Sequence, residues 1–235
     1  MAKRGSSGNL TPGEKVGGAV LFVFYAAVLP FAASPLLALL GRALDVTISQ
    51  SLGNLIIYYT LFAATLVVFH HLIGRTSGLF VNNLGGSLKT LAAGIVAFYG
   101  LNELTFRLVH GLFGARTNLN DVAISARISA APRTTVLIVV ALAPFVEEVL
   151  FRGLVLGGLR HKSRLGAYAA SCALFALAHV WQYALGGHDV TYLVLALEYL
   201  APGLVFCWAY EHSGTLWTSI LLHAAVNAVA VGALL

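Results

Sequence analysis

Seven apolar stretches, each near the ~20 residues that carry an α-helix across a bilayer, bound what this chain can fold into. They fall at about 16–40, 52–73, 88–113, 134–159, 165–185, 191–210 and 215–235. Inside hydrocarbon every backbone N–H and C=O must find a partner within the protein, which leaves helices or closed barrels. The runs are continuous rather than alternating, so a membrane barrel is excluded. Of the 235 residues only 10% are charged, against roughly 25% in a soluble domain. The sequence predicts an all-α fold, a polytopic membrane helix bundle of about seven transmembrane helices.

Residues 1–15 are polar and glycine-rich and read as a flexible cytoplasmic tail. Residues 16–114 hold the N-terminal transmembrane helices. The polar segment 115–132 separates them from residues 132–235, where four apolar stretches follow one another with short connections, as antiparallel neighbours do. The first apolar stretch exceeds the 7–15 residues of a signal-peptide h-region, and Pro35 follows the small-residue run Ala32-Ala33-Ser34, so it reads as a retained helix. Lys3, Arg4, Lys15, Arg75, Lys89, Arg160, Lys162 and Arg164 fall on one side, which the positive-inside rule makes cytoplasmic, N-terminus included. Arg116, Arg127 and Arg133 then face outward on the longest loop. The net charge of +5 follows this topology, so the expected partner is the lipid bilayer and no nucleic acid.

Cys172 and Cys207 lie within spans without a C-x-x-C arrangement and read as small buried apolar residues. Gly153 and Gly157 on the fourth stretch, and Ala169, Ala173 and Ala176 on the fifth, favour close helix approach. Pro144 removes a backbone donor and should free the carbonyl of Val140, with a local kink.

Against this apolar background, residues that hydrocarbon tolerates poorly stand out. They read Glu147-Glu148-Val-Leu-Phe-Arg152, Phe175-Ala-Leu-Ala-His179 and His223-Ala-Ala-Val-Asn227. A charge at mid-span costs about 2.5–3.5 kcal/mol on insertion scales, and such residues mark pathways or reaction sites. Glu147 and Glu148 point about 100° apart on a helix and cannot share one role. Glu148 and Arg152, at i and i+4, form an intrahelical pair. Glu147 lacks such a partner and suits a general base. Phe175 can fix the imidazole of His179 one turn away. His223 and Asn227 share a helix face and can donate hydrogen bonds toward developing negative charge. By composition, F-x-x-x-H should arise about 0.4 times by chance, H-x-x-x-N about 0.3 times and E-E-x-x-x-R under about 0.01 times. All three in this order, each inside a span, form one constellation.

The ordered motifs, with Ala-Pro-Phe-Val-Glu-Glu-Val-Leu-Phe-Arg-Gly around the first, resemble the CPBP intramembrane proteases. That family includes the type II CAAX prenyl endopeptidases and bacteriocin-processing or immunity proteins. The resemblance covers roughly residues 132–235, which it implies are the catalytic helix bundle, and no motif position departs from the pattern. It implies that Glu147 and His179 activate a water, that His223 and Asn227 stabilise an oxyanion, and that Glu148 and Arg152 orient the site. The activity so implied is hydrolysis of a peptide bond in a membrane-associated protein or peptide, prenylated or not.

Cofactors are expected to be none. The alternative is zinc on a His2Glu set of Glu147, His179 and His223, against which stand the poor ligand Asn227 and the lack of an H-E-x-x-H pair. A proton-coupled transporter and a non-catalytic immunity or scaffold protein are the rival functions. Glu147 lies 13 residues before Arg160, roughly 20 Å along a helix at ~1.5 Å per residue, so the site should be deep. Glu103 and Arg107 read as a pair facing the bundle, with His110 one turn beyond. His70 and His71 read as interfacial, Glu198 has no basic partner at helical spacing, and Gln182 and His188 sit near a loop without an assigned role.

Overall fold

The computed structural model describes residues 10–114, 117–187 and 189–235. Among the described residues the fold is all-helical. Six helices are long and apolar enough to cross a membrane: α1 (Pro12–Leu44), α2 (Gln50–Val68), α4 (Leu84–Phe113), α6 (Pro132–Leu159), α7 (Arg164–Gly186) and α8 (Thr191–Ser213). A seventh apolar helix, α9 (Leu216–Gly232), is shorter. Two further helices lie between spans, α3 (His70–Asn82) and α5 (Leu119–Ala130). The chain is an integral, multi-pass helical membrane protein.

Residues 1–9 of the expected tail lie outside the described residues, and the tail ends earlier than residue 15. Helix α1 starts at Pro12 because Thr11 caps it. The Glu14 amide donates to Thr11 Oγ1 at 3.2 Å, and the Thr11 amide donates back to the Glu14 carboxylate at 2.8 Å, a reciprocal capping box. The other Glu14 oxygen accepts from the Leu72 amide at 2.7 Å, so one buried carboxylate serves two helix N-termini.

The second apolar stretch, expected as one span over 52–73, is two helices. α2 stops at Phe69, whose backbone leaves the helical region (φ −106°, ψ 23°), and α3 begins at once. The change of direction buries Phe69 and Leu72 completely. It leaves His70 and His71 exposed at the start of α3, their rings 3.9 Å apart. The middle of α3 is pinned by the start of α9. Thr215 Oγ1 donates to the Thr76 carbonyl at 2.9 Å, and the Trp217 indole donates to Ser77 Oγ at 2.8 Å. Within the expected inter-half segment, α5 is capped by Asn118, whose side chain accepts from the Asn120 amide at 3.1 Å.

Helix α6 runs through the middle of the bundle. Val146, Val149, Leu150 and Phe151 have no solvent exposure. Phe145, Val149 and Leu150 join Leu61, Phe69 and Leu72 from the front half in one core, while Phe151 joins Phe175, Phe206 and Leu222 in another. Glycine sets the closest approach: a Cβ on Gly18 would stand 2.5 Å from the Phe69 ring, and one on Gly153 would stand 2.9 Å from a Leu72 methyl. Outward residues such as Val67, Val96 and Leu165 are 73%, 75% and 82% exposed, as a surface bathed in lipid requires. Cys172 and Cys207 are buried free thiols with their sulfurs 4.0 Å apart.

Candidate active site

The two glutamates sit on an α-helical turn, Ala143–Glu148, between two π-helical stretches of α6, Leu137–Leu142 and Val149–Leu156. Each π stretch carries an extra residue per turn, a feature common at functional sites. Pro144 makes the first one consequential. The Ala143 amide bonds five residues back to Ile138, and in that register the Val139 carbonyl would pair with residue 144, a proline without an N–H. Asn227 fills the gap, its Nδ2 donating to the Val139 carbonyl at 2.8 Å. The freed carbonyl is thus Val139 rather than the expected Val140, because the π register shifts the pairing by one. One N–H of Asn227 has a structural task.

Glu148 and Arg152 form the expected pair, both fully buried, with Arg152 Nη1 donating to Glu148 Oε1 at 3.0 Å. Arg152 Nη2 reaches the Gly203 carbonyl on α8 at 3.2 Å, and the guanidinium lies 4.4 Å from the Phe175 ring centre and 5.2 Å from that of Phe206. Phe175 therefore fixes more than the neighbouring imidazole, because it also covers the arginine.

His223 comes to the same carboxylate, its Nδ1 2.9 Å from Glu148 Oε1, and its ring stacks on Phe206 at 4.5 Å. His179 places its Nδ1 2.8 Å from the Phe175 carbonyl. Carboxylate and carbonyl oxygens only accept hydrogen bonds, so both Nδ1 atoms carry protons. Both Nε2 atoms then face the site, and each lies 3.9 Å from Glu147 Oε2. That gap exceeds a hydrogen bond but suits a bridging oxygen atom. Glu147 is 7% exposed and His223 5%.

The remaining Glu147 oxygen is occupied by a residue that spacing does not reveal. Tyr25 donates its hydroxyl to Glu147 Oε1 at 3.0 Å from a sequence distance of 122. It lies in the π turn Phe24–Val28 of α1, where the Leu29 amide reaches back to Phe24 and the next residue, Pro30, has no amide hydrogen. The available signal was generic: a tyrosine inside an apolar span needs a partner for its hydroxyl.

Other polar residues resolve differently. Glu103 and Arg107 do pair, at 2.6 Å, but their side chains are 59% and 77% exposed on the outer face of α4 rather than facing the bundle. Glu198, without a partner by spacing, meets His110 Nε2 at 2.9 Å. His188 lies outside the described residues.

Residues 129–229 match the family model of the Rce1-like type II CAAX prenyl endopeptidases. This part of the chain is similar to the members of that family. The match begins just before α6 and ends within α9, so the CAAX endopeptidase-like region contains both π stretches of α6, both histidines and Asn227, while Tyr25 lies outside it. The chain is also 25% identical over 152 residues to the Bacillus subtilis (strain 168) protein named "Putative membrane peptidase YdiL". That alignment covers 64% of this chain and 57% of the relative, so the chain spans little more than half of that protein's length. No solved structure matches the chain.

Proposed function

We propose that the chain is an intramembrane endopeptidase in which Glu147, helped by His179, activates the attacking water. The observation that carries this reading is the convergence of Glu147 Oε2 with both Nε2 atoms, each at 3.9 Å, among side chains only 9%, 16% and 6% exposed for Glu147, His179 and His223. Tyr25 occupies Oε1, so Oε2 is the oxygen free to accept the water's proton. The resulting hydroxide attacks the peptide carbonyl carbon, and the proton passes on to the leaving amine.

The oxyanion takes hydrogen bonds from the second N–H of Asn227 and from His223, whose Nδ1 is held by Glu148 and whose Nε2 faces Glu147. Fixed donors among such buried groups act far more strongly than in water. The substrate class is a membrane-associated protein or peptide, and prenylated proteins are the class that the family's description names. The basic loops favour a cytoplasmic N-terminus.

Zinc is the alternative. Glu147, His179 and His223 would be its ligands, and a bound ion would supply Lewis-acid polarisation and a more acidic water. The arrangement does not fit it: the 3.9 Å from Glu147 Oε2 to each Nε2 exceeds the roughly 3.4 Å between ligands about 2.1 Å from a tetrahedral ion, and among the described residues no group of three or more His, Cys, Asp or Glu could hold a metal ion. The two readings separate in proteoliposomes. Cleavage of a prenylated precursor should persist after dialysis against a strong chelator. Loss of cleavage that zinc restores would replace the metal-free mechanism, and no cleavage of any membrane peptide would sink the function.

A further inference from the structure

A second ring packs on His179, that of Tyr199, the last residue of the 3-10 stretch that opens α8. The two rings stack at 4.5 Å with 25° between their planes. The Phe175 ring also lies 4.5 Å away, tilted by 51°. The imidazole thus has one hydrogen bond, from Nδ1, and two aromatic walls to set its orientation.

Tyr199 is itself held from outside the spans. Its hydroxyl accepts from Asn118 Nδ2 at 3.0 Å, lies 3.2 Å from Asn118 Oδ1, and lies 3.4 Å from Asn120 Nδ2. Asn118 also caps α5. Its amide lies 3.4 Å from Glu198 Oε2, and the other Glu198 oxygen meets His110 near the end of α4. The Leu119 amide donates to the Tyr192 hydroxyl as well. The start of α5 is therefore fastened to α8 at two tyrosines and, through Glu198, to α4.

We propose that Tyr199 is a positioning residue for His179, and that Asn118, backed by the His110–Glu198 pair, is the brace holding it. The inference rests on the reading of His179 as part of the water-activating pair. It adds that the segment between the fourth and sixth helices, absent from the three sequence motifs, sets the alignment of a site it does not touch. A ring free to tilt carries Nε2 away from the point it shares with Glu147 Oε2, and misplacements near 1 Å can cost about 100-fold in rate.

Three variants test the chain of contacts. Tyr199→Leu removes the stack and should lower kcat by about 10- to 100-fold with KM changed less than about twofold. Tyr199→Phe keeps the stack but frees the ring, and Asn118→Ala does the same from the other side. Each should cost about 3- to 10-fold, and the double variant should be no slower than the worse single, because both break one link. A second readout needs no activity. In protein with 15N-labelled histidine, the His179 imidazole resonances should shift in Tyr199→Leu as the ring current disappears, and broaden in Tyr199→Phe and Asn118→Ala, with thermal unfolding in detergent unchanged for Tyr199→Phe and only slightly lowered for Asn118→Ala, which also loses the cap of α5. Unchanged resonances in all three variants, or unchanged kcat in a cleaving enzyme, would overturn the proposal. A wild-type protein that cleaves nothing yet shows these resonance changes would sink the peptidase reading while leaving the brace standing.

Discussion

Glu147→Gln should reduce cleavage by about 100- to 10,000-fold, the range a positioned general base supplies, with full-length precursor accumulating in the membrane. The substitution keeps the side chain's shape and can keep the Tyr25 contact at one end, so the fold should survive and KM should barely change. At the other end it turns the proton-accepting Oε2 into an amide pointing between two imidazoles. The measurement is single-turnover cleavage in proteoliposomes, with detergent melting as the control for folding. His179→Ala should be nearly as severe, and the double variant should lose little more, because groups acting on one water are not additive. Full activity in Glu147→Gln ends the proposed mechanism. Loss of ion flux without any loss of cleavage would favour a transporter.

Arg152→Met should cost stability rather than catalysis alone. Arg152 and Glu148 have no exposed side-chain surface. Removing one partner of such a pair costs about 3–5 kcal/mol, because the other charge stays buried. His223 would still donate to Glu148 Oε1. A chemical-denaturation midpoint in detergent reads the loss. Arg152→Lys should not rescue it, since a lysine ammonium cannot reach Glu148 and the Gly203 carbonyl in the same fork while lying flat on Phe175. The double variant Glu148→Gln, Arg152→Met should regain most of the stability while staying inactive, because His223 then lacks its carboxylate. A single Arg152→Met variant as stable as the parent would show that the pair holds nothing together.

Much of the site could be read from spacing because each motif lies within one or two turns of a single helix. Glu148 with Arg152 and Phe175 with His179 needed no knowledge of tertiary structure. Contacts across helices were out of reach. Tyr25 and Tyr199 touch the two proposed water-activating residues, yet nothing in the local sequence ties Tyr25 to position 147. Glu198 looked unpaired because His110 lies 88 residues away. The spans were legible as apolar runs, but their ends were not. The run 52–73 conceals a change of direction at Phe69, which apolar character cannot signal because both helices bury apolar residues there. Helix α5, at 12 residues, is too short to stand out as a span. The shift from Val140 to Val139 has another cause, since α-helical spacing was assumed where the backbone takes a wider turn.

Those wide turns give α6 a broken phase. Each π turn behaves as an α-helix with one residue inserted, which offsets everything beyond it by about 100° around the axis. A helical wheel drawn through Pro132–Leu159 therefore assigns Glu147 and Glu148 to the wrong side relative to Thr135, and it errs again for residues beyond the second turn. Between homologous chains the same turn would surface as a one-residue gap inside an otherwise continuous span, where gaps are normally treated as alignment errors. Such a gap between 137 and 142 would record the rotation that sets, for both carboxylates together, the side of α6 on which they face their partners.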